Sequence, residues 1–303
     1  MHAALLTALF FGITPVCANR AIRALGVSRA NLWRLLLALL ALGAWAFLFG
    51  QGLAGPFWWF FIAGAIGFGL GGMAMFQALP LLGAPLSSLI VESMAALFAA
   101  NMAWFWFADP LTAEQIIFGL LVLLGVSMGL LPYINGNARQ ANAARGAAWA
   151  VLAALGQAAS ITISRKALLA MKAAGVPPDL ATAAFQRLTG GACVALALWL
   201  AWRASGAKPT PKSPSKPLPK SWPASRPWFW VTLNALFGPI LGVTCLIWAL
   251  KSMQPGLVQA VAATAPLVSV PFVRWLEGHK PPPLYYAGAA AAIAGLAGIH
   301  LTH

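Results

Sequence analysis

One carboxylate lies deep in apolar sequence. Glu92 sits inside the apolar stretch 86–107, whereas Asp109, Glu114, Asp179 and Glu277 fall at the margins of such stretches. An ionisable side chain at the centre of a bilayer costs at least ~2.5 kcal/mol, so it faces an internal cavity and serves a function. Burial disfavours the ionised form, which leaves two chemistries open. Glu92 exchanges a proton as the cavity opens to either side, or it stays ionised and pairs with a substrate ammonium. A third reading is structural: a protonated, hydrogen-bonded acid, or one paired with Arg34 or Arg187.

Uncharged polar residues are the next candidates. Thr14, Asn19, Gln77, Asn101, Gln157, Asn234 and Gln259 all interrupt apolar runs without a polar partner in the local sequence. Any single one is explained by a hydrogen bond between helices, but together they avoid the fifth and tenth apolar stretches. The expected site is therefore bounded by Thr14, Asn19, Gln77, Glu92, Gln157, Asn234, Trp248 and Gln259, with the fifth and tenth stretches peripheral. Trp33 and Trp248 each lie beside polar residues and are candidates for pocket walls. Trp58, Trp59, Trp104, Trp106, Trp199, Trp202, Trp228 and Trp230 cluster toward the ends of apolar stretches, as an interfacial belt requires.

Other motifs carry no chemistry. Gly67, Gly69 and Gly72 match the dinucleotide fingerprint literally, but that fingerprint needs a strand before it and an accessible turn. These glycines lie mid-stretch and read as close helix packing, as do Gly125 and Gly129. Cys17, Cys193 and Cys245 are isolated, and His2, His279, His300 and His303 lie at ends or in breaks, so no metal or cofactor is expected. No hydrolase or metalloprotease motif is present, and the chain does not read as an enzyme.

These residues are positioned by about ten apolar stretches: 3–22, 30–50, 56–79, 84–107, 113–134, 146–172, 179–203, 227–251, 257–276 and 283–301. Each has the ~20 residues that cross a hydrocarbon core of ~30 Å as a helix. With 61% hydrophobic and 8% charged residues, the composition excludes a soluble globular class. Many of the cations behind the net charge of +14 sit at the ends of apolar stretches, which points to lipid headgroups and not to nucleic acid. Asp109-Pro110, the segment 175–178 and the segment 280–283 stop helices through proline. Pro15, beside Thr14, is expected to kink or open the first helix. Segment 205–226 is a proline-lysine tract that cannot form a packed element.

The two halves echo each other. Arg34-Leu35 opens the second stretch as Arg187-Leu188 opens the seventh, and Gln77-Ala78-Leu79 is echoed by Trp248-Ala249-Leu250. The expected fold is an all-α integral membrane protein of ten transmembrane helices, built as two five-helix repeats. These span 1–135 and 146–303, with a linker at 136–145. Because five is odd, the repeats are inverted, an arrangement associated with alternating access and a site near the midplane.

At these residues the chain resembles the drug/metabolite transporter superfamily, specifically its EamA-like ten-helix members. The resemblance is carried by Phe11-Gly12-Ile13-Thr14-Pro15, the two Arg-Leu pairs, Ala78-Leu79 with Gly83-Ala84 and Ser87, and Leu111-Thr112 with Gln115 and Gly119. Departures are the lack of a proline in the fourth stretch beyond Pro85 at its start and Ala108-Asp109 where relatives carry Gly-Glu. The resemblance implies export of amino acids or other small metabolites, coupled to protons or driven by the substrate gradient, across a bacterial inner membrane. Competing readings are a passive polar-solute channel and an intramembrane lipid-modifying enzyme.

Of the 19 Lys and Arg residues, 14 lie nearest to loops that follow odd-numbered stretches. The positive-inside rule places those loops in the cytoplasm and both termini outside. The resemblance implies cytoplasmic termini instead.

Overall fold

A backbone in hydrocarbon must satisfy its own hydrogen bonds, and long apolar segments do so as helices. In this computed structural model, residues 1–108, 111–134, 140–205, 227–277 and 282–301 are described. They form ten spans in chain order: α1 (His2–Leu25), α2 (Val27–Leu48), α3 (Phe57–Leu82), α4 (Ala84–Phe107) and α5 (Ala113–Ile134), then α6 (Gln140–Ala173), α7 (Leu180–Ala204), α8 (Pro227–Leu250), α9 and α10 (Pro283–Leu301). α9 comes in two pieces, Pro255–Ala262 and Ala265–Glu277. All ten expected spans are present. The polar join is shorter than expected, since α6 begins at Gln140. The breaks at Asp109-Pro110 and 278–281 (with His279), the join at 135–139, His303 and the tract 206–226 lie outside the described residues.

Tight connections use glycine where the backbone demands it. α1 passes to α2 through Gly26 alone (φ 82°), and α3 to α4 through Gly83 (φ 80°). Nothing lies within 4 Å of where a Cβ would stand at either position, so conformation and not space requires the glycine. α7 starts at Asp179, whose carboxylate accepts from the Thr182 backbone N–H at 3.0 Å, a conventional N-cap.

Three departures from regular helix matter. α3 contains a π-helical segment, Ala65–Gly71, and α8 contains another, Leu236–Gly242, around Pro239. α9 breaks at Ala263 and Thr264, and its second piece opens with Ala265-Pro266. α1, by contrast, runs unbroken through Pro15, so no local opening occurs there. The Thr14 hydroxyl donates back to the Phe10 carbonyl at 2.9 Å, and Asn234 on α8 donates to the Thr14 carbonyl at 3.2 Å. These bonds flank Pro15, whose missing N–H would have served the Phe11 carbonyl.

Packing partners pair up between the halves. α1 packs on α8 and α9, as α6 packs on α3 and α4; α2 packs on α7, α4 on α9, and α5 on α10. The α5–α10 contact is made close by small residues. A Cβ on Gly288 would meet the Gly125 carbonyl at 2.4 Å and the Gly129 nitrogen at 2.4 Å. α5 and α10 are the least buried spans and the first piece of α9 is fully enclosed, so the former are peripheral, as their bare composition implies.

Large apolar side chains point outward along the spans, including Leu40, Leu48, Phe105 and Ile293. In water such a surface would aggregate; in lipid it is the contact surface. Trp58, Trp104, Trp106 and Trp228 are exposed, as a belt requires, but Trp230 is buried with the Arg20 guanidinium 4.5 Å from its ring centre.

Candidate functional site: a cavity with one acid and two arginines

Glu92 stands on the inner face of α4, 7% exposed, at the wall of an internal cavity of about 120 Å³. Its neighbours come from the other half of the chain. Gln157 of α6 donates its Nε2 to Glu92 Oε2 at 2.8 Å, and Gln259 of α9 donates its Nε2 to the same oxygen. Among the described residues Oε1 takes no hydrogen bond. Two charge-assisted bonds into one oxygen stabilise a carboxylate without a counter-ion. They leave the second oxygen for a proton or a ligand.

The cavity is walled chiefly by α1, α3, α4, α6 and α8, with one residue each from α2 and α7. Those two residues are Arg34 and Arg187, 6% and 3% exposed. Each is the eighth residue of its helix, about 10 Å of rise from the helix start. Arg34 donates Nε to Asn31 Oδ1 at 3.0 Å and lies over the Phe76 ring at 4.6 Å. Arg187 donates Nη2 to Ser160 Oγ at 2.9 Å and lies over Phe68 at 5.4 Å. Neither forms an ion pair with Glu92, so of the alternatives open for this acid, pairing with Arg34 or Arg187 is not what the fold builds.

The α3 glycines make this arrangement possible. A Cβ on Gly64 would stand 1.6 Å from the Arg187 carbonyl oxygen, and one on Gly190 would stand 1.9 Å from that of Phe61, so α3 and α7 cross backbone to backbone. A Cβ on Gly67 would strike Ser160, the acceptor for Arg187, and one on Gly72 would crowd Arg34 Nη2. The fingerprint-like glycines are therefore a packing surface that leaves room for the arginine head groups. Arg187 is further fixed from its own helix end. Gln186 donates to the carbonyls of Gly52 and Ala54, and Thr182 Oγ1 accepts from the Gln51 backbone, tying the α2–α3 connection to α7.

Of the eight residues expected around the site, Glu92, Gln157 and Gln259 are joined directly, and Thr14 lines the cavity. Asn234 is buried behind the wall, bonded to the Thr14 carbonyl. Asn19 and Gln77 are partly buried and lie outside the cavity lining. Trp248 points outward, 48% exposed, and Trp33 is exposed against Trp228 at 5.1 Å between ring centres. Both are lipid-side aromatics. The periodicity of α8 gave no warning, because apolar residues surround it on every face and only packing chooses the inward one. The two arginines were legible as motif residues, and an arginine buried at the same place in both halves was the available signal for the lining.

The sequence matches the EamA-like transporter family over residues 1–131 and 144–301, nearly its whole length. The chain belongs to that family. This EamA-like protein is thus a multi-pass membrane transporter of the drug/metabolite transporter superfamily. The fold agrees with a solved crystal structure of a protein, with a TM-score of 0.72 and 20% identity, covering 99% of this chain and 97% of that one. No curated protein matches the sequence.

Proposed function

We propose that this EamA-like protein is a secondary exporter of a small metabolite such as an amino acid, working by alternating access of two inverted halves in a bacterial inner membrane. The observation that carries the reading is the Glu92 cluster. A carboxylate from the first half is held by amides from the second, at the cavity where the halves meet. Rocking one half against the other strains or breaks those bonds, so the protonation or ligation of Glu92 is coupled to the side on which the cavity opens. The exchange of packing partners between halves, and the π segments at matching places in α3 and α8, support the inverted arrangement. Irregular backbone at membrane depth is tolerated where it lines a cavity, and both π segments do.

Protons or the substrate gradient supply the driving force in this reading. Reconstitution into vesicles with an imposed pH gradient tests it. Accumulation or depletion of a substrate against its own gradient is expected. Equilibration alone would assign a channel, and no movement of any small solute would remove the transport mechanism proposed here.

A further inference from the structure

Two buried guanidinium groups share a cavity with a single acid that neither of them pairs with. We propose that Arg34 and Arg187 form the recognition site for the carboxylate of a small substrate anion; this rests on the transport reading above and names its substrate class. A buried cation requires a counter-charge or a full set of acceptors, and the protein supplies only part of one. Arg34 gives its Nε to Asn31, and Arg187 gives its Nη2 to Ser160. Arg187 Nε and Nη1 are buried with no acceptor at all. The phenyl rings of Phe76 and Phe68, both on α3, hold one face of each guanidinium and leave the donor edges for a ligand.

The two arginines also come from opposite membrane faces. α2 and α7 are five spans apart, so their starts lie on opposite sides, and each arginine sits the same eight residues in. An anion in the cavity is therefore within the field of a cation placed toward either exit.

Charge balance selects the class. With Glu92 ionised, the three groups sum to one positive charge, and one monoanion makes the site neutral. An amine would add a third cation to the two arginines. A doubly charged phosphate would leave excess negative charge unless Glu92 took up a proton. The planar fork of a guanidinium matches a carboxylate in two parallel hydrogen bonds. A cavity of about 120 Å³ suits a small metabolite.

Thermal unfolding of the purified full chain in detergent, with lactate, L-glutamate, glycerol 3-phosphate and putrescine each at millimolar concentration, tests the assignment. Ligands of the native state raise the midpoint by mass action. Lactate or glutamate is expected to raise it and putrescine to leave it unchanged. Arg34→Lys and Arg187→Lys, which keep the charge and lose the fork, are expected to weaken carboxylate binding at least tenfold. Stabilisation by putrescine alone, by glycerol 3-phosphate alone, or by none of the four overturns the proposal. So does unchanged carboxylate affinity in both lysine variants. The panel on the unmodified protein decides the charge preference even where a variant does not fold. Counterflow in vesicles separates the two readings: a carboxylate that binds but is not carried sinks transport and leaves the anion site, whereas a carried amine sinks the anion site and leaves transport.

Discussion

At the scale of single residues, the structure divides the intramembrane polar groups into those that face the cavity and those that hold the wall. Gln259 is fully buried and its Nε2 serves Glu92, while its Oε1 has no partner. Gln259→Ala removes a charge-assisted bond and opens a void, so a loss of ~1–3 kcal/mol is expected in unfolding measurements. Gln157 lies at the cavity edge, and Gln157→Ala is expected to lower transport more than stability. Glu92→Gln keeps the size of the side chain and removes its proton exchange. Its expected effect is loss of gradient-driven transport and of the pH dependence of the remaining flux. A Glu92→Gln protein that still concentrates substrate with an unaltered pH profile would make Glu92 a structural acid. Trp248→Leu serves as the contrast, since an outward tryptophan is expected to leave ligand binding unchanged.

At the scale of the helix, small residues decide which elements touch. Gly64 and Gly190 let α3 and α7 approach until carbonyl oxygens occupy the space of a side chain. Gly190→Ala places a methyl group 1.9 Å from the Phe61 carbonyl, and overpacking of this kind costs ~1–3 kcal/mol or more. A clear drop in the thermal midpoint is expected, with weaker ligand binding because Arg187 lies three residues away. Gly119 of α5 has nothing within 4 Å of its Cβ position, so Gly119→Ala is expected to be neutral or to stabilise by up to ~1 kcal/mol. If both alanine variants melt alike, backbone contact is not what sets the α3–α7 crossing. The π segments belong to the same scale. They widen α3 and α8 where the cavity needs room, and their repetition in both halves marks them as part of the design.

At the scale of the whole molecule, orientation in the membrane is the open choice between charge and resemblance. Positive-inside counting favours odd-numbered connections in the cytoplasm, so the exposed residues Ser205 and Ser252 should lie on opposite sides. In a background lacking Cys17, Cys193 and Cys245, Ser252→Cys is expected to react with an impermeant thiol reagent applied outside intact cells. Ser205→Cys should react only after permeabilisation. The reverse pattern would put both termini in the cytoplasm and show that the proline-lysine tract does not govern insertion.

Ten spans and the membrane setting followed from local composition and order, and Glu92 stood out as the one acid deep in apolar sequence. Bilayer thickness sets helix length, and one acid among apolar residues is visible in any register. The choice of inward face was decided only by tertiary packing. Trp248 and Gln259 both lie within long apolar spans, yet one points to lipid and the other binds Glu92. Hydropathy cannot rank them, because lipid and protein interior are equally apolar and the driving force between spans is steric fit. The same reason hid the placement of Arg34 and Arg187 at the cavity wall, which depends on how closely glycines let α3 approach α6 and α7.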